Sequence, residues 1–283
     1  MLAGRPSRTL LGPAVRRAAH QLLDAPIVFC DPVAVGLIPE ADAETIRAQL
    51  AEHQTAESIL LRSLFVLRSR FVEDRLAEAA SRGVRQYVIF GAGLETFPWR
   101  QPEYARKLKI FVADHMSSLI WSQTKFWERG LPKPTNVAFV PLDLEQDGIA
   151  ARLSEFGFAL DDPTFCSVLG VTQYIDLAAV DELMRFVAAL KRGSEIVFSY
   201  VPRADELAGA DRELASTSAQ RAEGFGETWK TRFSTSQLIE NLGTLGFSSV
   251  MHLTPDNAQA RYFGGRQDSL KAPVLEQLIA ATV

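Results

Sequence analysis

Cysteine and histidine are scarce in this sequence, and their positions lack the usual metal and disulfide patterns. The 283 residues include two cysteines, Cys30 and Cys166, with no Cys-x-x-Cys spacing and no nearby pair of histidines. The four histidines are scattered along the chain. We therefore predict no metal site and no disulfide, and we interpret both cysteines as small core residues.

Long apolar runs and an excess of positive charge are also missing. No segment approaches the roughly 20 apolar residues of a membrane span, and the N-terminal part lacks the continuous apolar stretch of a signal peptide. The net charge of −4 argues against a protein that grips nucleic-acid backbones. We predict a cytoplasmic protein with no nucleic-acid or membrane partner. A short basic cluster is expected to be a solvated helix face: Arg5, Arg8, Arg16 and Arg17.

The spacing of apolar residues changes once along the chain. Helical spacing dominates residues 7–23 and, most strongly, residues 58–80. After residue 83, short continuous apolar segments alternate with helical patterns, which is typical of a parallel sheet covered on both faces. The predicted parallel strands are residues 87–90, 109–113, 136–140, 165–169 and 195–200.

The C-terminal part follows a different pattern. Residues 205–223 form a polar helical segment with few large apolar anchors, and we expect a mobile lid there. A helix is predicted from Ser234 to Leu245, with Ser234 as its N-cap. Residues 247–253 and 260–263 are predicted to form a closing antiparallel hairpin at the sheet edge.

These patterns predict one α/β domain of the doubly wound, Rossmann-like type. Residues 1–83 would form an N-terminal helical cap and lead-in helix, residues 84–200 the ligand-binding core, and residues 201–283 the lid helices and closing hairpin.

A glycine-rich turn leaves the first predicted strand. Gly91-Ala92-Gly93 follows Val88-Ile89-Phe90, and glycine lets a ligand approach the backbone closely. The third glycine of a dinucleotide fingerprint is missing, because the sequence continues Leu94-Glu95-Thr96, and no Gly-Lys-Ser/Thr phosphate loop is present. The turn therefore favours a nucleoside ligand without phosphates.

Two aspartates follow the next two strands. Asp114 ends the second strand, where a carboxylate can accept both hydroxyls of a ribose. Asp143 follows the third strand, where it can accept from an adenine amino group while Leu144 lies on the ring. Each aspartate alone is as well explained as a helix N-cap. Three ligand-facing positions at successive strand ends favour a nucleoside site.

The chain resembles the leucine carboxyl methyltransferase family, which includes many bacterial S-adenosylmethionine-dependent methyltransferases. The resemblance covers most of the sequence, and the combination of segments is specific although no single one is. The matching segments are Arg68-Ser69-Arg70-Phe71-Val72-Glu73-Asp74, Gly91-Ala92-Gly93-Leu94-Glu95-Thr96, Asp114, Val140-Pro141-Leu142-Asp143-Leu144 and Gly170-Val171-Thr172-Gln173-Tyr174-Ile175, with further similarity at Arg17-Ala18-Ala19-His20, Asp31-Pro32, Gly226-Glu227-Thr228-Trp229 and Arg261-Tyr262-Phe263.

The resemblance implies a class I methyltransferase fold and S-adenosylmethionine as cofactor. By its position, Arg68 would bind the methionine carboxylate, a role that suits the forked guanidinium. Gly91, Ala92, Gly93, Asp114, Asp143 and Leu144 would complete the cofactor site. Gly170 departs from the family, which usually has glutamate there at the cofactor's amino-acid end. This departure raises the possibility of a divergent or inactive member.

The implied reaction is transfer of a methyl group to a carboxylate or hydroxyl oxygen of a small molecule such as a natural product. His20, Tyr174, Tyr200 and Trp229 are candidates for the acceptor pocket, although aromatic residues near strand ends more often serve in packing. No catalytic base can be identified, which favours a carboxylate acceptor because that group is already ionised at neutral pH.

Two other function classes stay open from the sequence. A nicotinamide-dependent oxidoreductase would use the same kind of sheet. The missing third glycine and the absence of a Tyr-x-x-x-Lys pair argue against that function. The second alternative is a non-catalytic S-adenosylmethionine-binding protein. It is suggested by Gly170, which stands where the family usually has glutamate.

Overall fold

Five parallel strands form the centre of the sheet, within two residues of the predicted positions. The computed structural model describes residues 11–38, 44, 48, 50–224 and 226–283. Every residue of the first, fourth and fifth strands is buried, because helices cover both faces of the sheet. The strands are β1 (Gln86–Phe90), β2 (Lys109–Asp114), β3 (Val137–Pro141), β4 (Thr164–Val168) and β5 (Glu195–Tyr200).

Within the described residues, two further strands, β6 (Ser249–Leu253) and β7 (Gln277–Thr282), complete a seven-stranded sheet of order β3-β2-β1-β4-β5-β7-β6. β1 pairs in parallel with both β2 and β4, so that Gln86 lies opposite Lys109 and Thr164. The chain therefore reverses its direction of growth beside β1, which opens a crevice at the carboxyl ends of β1 and β4. The predicted doubly wound α/β fold is confirmed.

The C-terminal antiparallel strands are also confirmed, but one of them was predicted in the wrong place. Residues 260–263 belong to a π-helical turn, Gln259–Phe263. A short helix before the turn starts at Pro255, where the Thr254 hydroxyl accepts a hydrogen bond from Asn257 N, and the chain stays helical from there. The second strand is β7, which lies between β5 and β6 and runs antiparallel to both.

Helices cover the two faces of the sheet and form the N-terminal cap. None of the described helices is long and apolar enough to cross a membrane. The α-helices are α1 (Leu11–Leu23), α2 (Pro32–Leu37), α3 (Leu50–His53), α4 (Ala56–Ser81), α5 (Phe97–Arg100), α6 (Met116–Glu128), α7 (Ile149–Glu155), α8 (Leu177–Ala188), α9 (Gly209–Gly224), α10 (Thr235–Thr244) and α11 (Pro255–Ala258), with short 3₁₀ turns at Glu103–Lys107 and Ala204–Glu206.

Helix α4 connects the cap to the sheet. It begins where the Thr55 hydroxyl accepts a hydrogen bond from Ser58 N, which caps its first turn. Its apolar side chains pack into the core beneath it, yet Arg62 and Arg68 are buried on the same helix. A buried arginine needs a partner of opposite charge. Two acidic residues meet that need, namely Asp24 for Arg62 and Glu276 for Arg68.

Two expectations about single residues were wrong. The Arg17 side chain is buried, because its Nε donates to Asp31 Oδ2 at 2.9 Å and its Nη2 donates to Leu94 O at 2.7 Å. Arg16 is half-buried, so this part of α1 is not a solvated face. Arg5 and Arg8 lie outside the described residues.

The prediction for the cysteines is correct for one of the two. Cys166 is in the core as expected, but Cys30 is exposed.

Candidate functional site

A cavity of about 340 Å³ opens at the carboxyl ends of β1 and β4, where the strand order reverses. Its volume lies in the range of small-ligand sites. The turn after β1 and the loop after β4 form one side, α4 lies against it, and α1 and α9 cover it. Seven predicted site residues line this cavity: Arg68, Gly91, Ala92, Gly93, Gly170, Tyr174 and Trp229.

The glycine turn has a conformation and a packing that require glycine. Gly91 has φ +62°, and a Cβ built on it would lie 2.3 Å from Val171 Cγ2. Its nitrogen donates to Ala113 O at 2.8 Å, which holds the turn against the end of β2. The glycine at residue 91 therefore lets the turn pack directly against Val171, while the residues of the turn line the cavity.

Asp114 stands beside this turn at the end of β2. Its Oδ2 accepts a hydrogen bond from Gly93 N at 2.8 Å, and its Oδ1 accepts from His115 N at 2.7 Å. Burial raises the pKa of Asp114, although both backbone hydrogen bonds act against that rise. The carboxylate keeps lone pairs that these two bonds do not use.

Asp143 and Leu144 lie one strand further out, just after β3. Asp143 Oδ1 accepts from Glu145 N at 3.0 Å, and its own nitrogen donates to Asp147 Oδ2 at 2.8 Å. Both residues are partly buried, and Leu144 packs against the core. Asp114, Asp143 and Leu144 are not among the residues that line the cavity. Asp114 contacts the lining residue Gly93, whereas Asp143 and Leu144 follow β3, at the edge of the sheet.

Arg68 and Glu276 form a buried ion pair at the inner end of the cavity. Burial lowers the pKa of the Arg68 guanidinium to about 9, and the nearby Tyr174 acts against this shift. Gly170, at φ +67°, makes room for this group, because a Cβ there would lie 2.7 Å from Arg68 Nη1. Glu276 was missed in the sequence because it precedes β7, a strand that the apolar pattern did not reveal.

Several buried polar atoms around the cavity have no hydrogen-bond partner among the described residues. They belong to residues that line the cavity from different elements, so they are close in space although far apart in sequence. Such atoms are rare in folded proteins and mark places where a ligand or water completes the site. The atoms are Arg16 Nε, Arg68 Nε, Gln173 Oε1, Trp229 Nε1 and Glu276 Oε1.

The polar segment predicted as a lid forms α9 and lies over the cavity. Ser218, Arg221 and Ala222 line the cavity from this helix. Arg221 Nη1 is 2.6 Å from Glu57 Oε1, which ties α9 to the first turn of α4. The helix also has apolar anchors, since Ala215 is buried in a small cluster that includes Trp229.

Two residues predicted for the acceptor pocket lie elsewhere. His20 is fully buried, with Nε2 accepting from Val28 N at 2.8 Å and Nδ1 2.8 Å from Asp24 Oδ2, so it holds the cap together. The Tyr200 hydroxyl is 2.9 Å from Thr235 Oγ1 and 3.1 Å from Gln277 Oε1, on the far side of β5. Neither side chain lines the cavity.

The cavity offers few groups for proton transfer. No histidine is among its described lining residues. Glu95 lines it, but its Oε1 accepts hydrogen bonds from Thr96 N at 2.7 Å and Phe97 N at 2.9 Å. In the described part of the chain, no group of histidine, cysteine or acidic residues is arranged to hold a metal ion.

Comparison with known proteins identifies related sequences. Residues 10–188 match the family model described as leucine carboxyl methyltransferase. A protein of Bacillus subtilis (strain 168), named "Putative S-adenosyl-L-methionine-dependent methyltransferase YktD", is 28% identical over 293 residues, covering 96% of each chain. A protein of Mycolicibacterium paratuberculosis, named "Putative S-adenosyl-L-methionine-dependent methyltransferase", is 30% identical over 205 residues. The match covers 69% of this chain and 64% of that protein.

Solved structures of similar fold were also found. The crystal structure of a "putative methyltransferase" from Thermobifida fusca YX aligns with a TM-score of 0.60 and 15% identity. The alignment covers 99% of this chain and 96% of that chain. A DUF574 family protein from Streptomyces avermitilis aligns with TM-score 0.55 and 17% identity, covering 95% of this chain and 96% of that chain. At these identities the likeness concerns the fold.

Proposed function

This chain belongs to the leucine carboxyl methyltransferase family, and from that premise we propose that it methylates a carboxylate or hydroxyl oxygen of a small molecule. It is an S-adenosylmethionine-dependent methyltransferase, as its relatives are named. The observation that carries the proposal is the cavity at the reversal of strand order, with the glycine turn on one side and Arg68 at its inner end.

The residues present fit the cofactor. The turn of Gly91, Ala92 and Gly93 lines the cavity, and the φ values of +62° at Gly91 and +54° at Gly93 suit glycine. Arg68 Nε is a buried donor without a partner, as a site for a carboxylate requires. Asp114 has acceptor capacity beyond its bonds to Gly93, His115 and Ser118, at the end of β2 where hydroxyl groups of a ribose would donate.

We assign the cofactor-binding residues accordingly. Arg68 would bind the methionine carboxylate, the backbone of Gly91, Ala92 and Gly93 would lie against the ribose and methionine moiety, and Asp114 would accept from the ribose hydroxyls. Asp143 would accept from the adenine amino group while Leu144 packs on the ring. Gly170 would leave space for the Arg68 guanidinium.

The remaining task of the chain is to align the acceptor and to exclude water. When bound, S-adenosylmethionine supplies a methyl group on a sulfonium, which is already activated. Leu64, Phe65 and Leu169 line the cavity with apolar surface, and α9 covers it. Such a site holds the nucleophile in line with the methyl group and away from solvent. Tyr174 and Trp229 would contact the acceptor.

A carboxylate acceptor is favoured over a hydroxyl. A carboxylate is ionised at neutral pH and needs no base, whereas a phenol of pKa about 10 is helped by one. The described lining residues include no histidine. Of the two lining glutamates, Glu95 accepts two backbone hydrogen bonds at Oε1, and Glu276 is paired with Arg68. Small carboxylic acids with an apolar body therefore come first as test acceptors.

Calorimetry and a product assay test the proposal. We expect S-adenosylmethionine and S-adenosylhomocysteine to bind with one site per chain and NADH not to bind. Purified protein is then incubated with methyl-labelled cofactor and a panel of small carboxylic acids and phenols, and labelled esters or ethers are sought by mass spectrometry. Failure of both sulfur compounds to bind at millimolar concentration would refute the proposal. Binding without any methylated product would leave a non-catalytic binding protein.

A further inference from the structure

The inner end of the cavity contains polar atoms that the protein leaves unpaired. Arg68, Glu276 and Gln173 have only 8%, 4% and 3% of their surface exposed. Within the described residues, Arg68 Nε, Glu276 Oε1 and Gln173 Oε1 have no hydrogen-bond partner, and all three side chains line the cavity. Because unpaired buried polar atoms are unfavourable, their presence around one cavity indicates a ligand that pairs with them.

The three unpaired atoms differ in charge and in their role as hydrogen-bond donor or acceptor. Arg68 Nε is a donor on a cation, Glu276 Oε1 is an acceptor on an anion, and Gln173 Oε1 is a neutral acceptor. A ligand that satisfies all three offers an acceptor beside a donor, and the bonds are strongest when the acceptor is negative and the donor is positive. An α-amino acid end has both, since its carboxylate and its ammonium are held on one carbon atom.

We propose that Glu276 binds the α-ammonium group of the cofactor's methionine moiety, with Gln173 Oε1 as the second acceptor. The assignment rests on the proposed function, in which Arg68 binds the neighbouring carboxylate. Glu276 would thereby be a cofactor-binding residue and not only the partner that balances the charge of Arg68.

The charge of the site supports this assignment. Arg68 and Glu276 already form a neutral pair within the protein. A zwitterion adds no net charge to that pair, and its two groups replace part of the hydration that burial removed. A ligand with only a carboxylate or only an ammonium would add a net charge to this neutral pair.

Gly170 makes the pair possible in this position. A Cβ at residue 170 would lie 2.7 Å from Arg68 Nη1, so a side chain there would compete with the guanidinium for the same space. The Gly170 nitrogen is fixed by Ser199 Oγ, which accepts its hydrogen bond at 2.7 Å. The acidic group of the site therefore comes from Glu276, just before β7, and not from the loop after β4.

Calorimetry with three ligands tests the assignment: S-adenosylhomocysteine, its deaminated analogue, which keeps the carboxylate, and its decarboxylated analogue, which keeps the ammonium. We expect Glu276→Gln to weaken binding of S-adenosylhomocysteine and of the decarboxylated analogue about 10- to 100-fold. Binding of the deaminated analogue should stay the same or improve, because the competing charge beside Arg68 is gone. Arg68→Gln should show the reverse preference between the two analogues.

The matched control is Glu78→Gln, which removes an exposed carboxylate paired with Arg75 at 2.6 Å, away from the cavity, and should change none of the three affinities. Thermal unfolding reports whether each variant is folded. If Glu276→Gln does not fold, Glu276→Asp keeps the charge while withdrawing the carboxylate, and the loss for the decarboxylated analogue should persist.

The outcomes separate this inference from the proposed function. If the unaltered protein binds none of the three ligands, the proposed function fails. If it binds S-adenosylhomocysteine but Glu276→Gln weakens only the deaminated analogue, Glu276 acts by positioning Arg68, and the inference is overturned. Unchanged affinities in Glu276→Gln would overturn it as well.

Discussion

The Asp114 carboxylate accepts a hydrogen bond from the Gly93 nitrogen at 2.8 Å, so the residue at the end of β2 fixes the turn that follows β1. One side chain thus has two tasks under the proposed function, since it shapes the backbone of the turn and offers its remaining lone pairs to the ribose. Substitutions at Asp114 should affect both tasks together.

We expect Asp114→Asn to weaken binding of S-adenosylhomocysteine by about 10-fold or more and to lower the unfolding temperature. In the variant an amide nitrogen replaces one of the two acceptor oxygens. That nitrogen is a donor and faces another donor, either Gly93 N or His115 N, so one hydrogen bond is lost. Calorimetry and thermal unfolding measure the two effects. Asp181→Asn, an exposed aspartate on α8, is the control and should change neither quantity.

Gly170→Ala and Gly130→Ala form a matched pair. The two glycines have φ of +67° and +70°, so both variants should lose about 1–2 kcal/mol of unfolding free energy. A Cβ at residue 170 also meets Arg68 Nη1, whereas at residue 130 it meets no atom within 4 Å. We expect only Gly170→Ala to weaken cofactor binding in calorimetry. Equal affinities in the two variants would contradict the role given to this close approach.

Helix α9 should become better protected when cofactor binds. Its residues are mostly polar, and it covers the cavity through Arg221 and Ala222. We predict that amide hydrogen exchange in residues 209–224 is fast in the free protein and slower with S-adenosylhomocysteine. The buried helix α4 serves as the internal reference and should exchange slowly in both states. Strong and equal protection of α9 with and without ligand would show that it is no lid.

The pair of Asp24 and Arg62 should make stability depend on pH. Burial alone would raise the pKa of Asp24, but hydrogen bonds from His20 and Arg62 outweigh it and lower the pKa below its ordinary value. Asp24 therefore contributes stability above its unfolded pKa of about 3.9, and this contribution is lost as pH falls through the lower folded pKa.

Asp24→Asn should cost about 3–5 kcal/mol of unfolding free energy at pH 7, since Arg62 would be left buried without its carboxylate. The difference from the unaltered protein should shrink below about pH 4. Urea unfolding between pH 3 and pH 7 measures it. Glu128→Gln, which breaks an exposed pair with Lys125, should change stability by less than about 1 kcal/mol at any pH in this range.

The parallel part of the fold could be predicted from sequence because each strand is buried on both faces. The apolar segments of β1, β4 and β5 therefore stand out from the helices between them. Strand β7 did not stand out, because Ala280 and Ala281 at its centre are weakly apolar and equally compatible with a helix. Residues 260–263 contain two aromatic residues typical of strands, Tyr262 and Phe263, but the helix start at Pro255 decided their conformation.

The site also has residues that could be predicted from sequence and residues that could not. The glycine turn and Arg68 are local features that a sequence motif contains, and they line the cavity as expected. Glu276 reaches the site only through the position of β7, and no local pattern reports that position. His20 and Tyr200 were chosen for their chemistry, but chemistry does not say which way a buried side chain points, and both are used to join elements of the fold.

The place of β7 between β5 and β6 has a consequence for the order of folding. Among the described strands, β6 is joined to the sheet through β7, so β6 cannot become part of the sheet before β7 does, although β6 is earlier in the chain. Such late, non-local pairing is slow to form. Glu276 directly precedes β7 and arrives with it, so the chain finishes its sheet and supplies the negative charge of its ligand site in a single closing step.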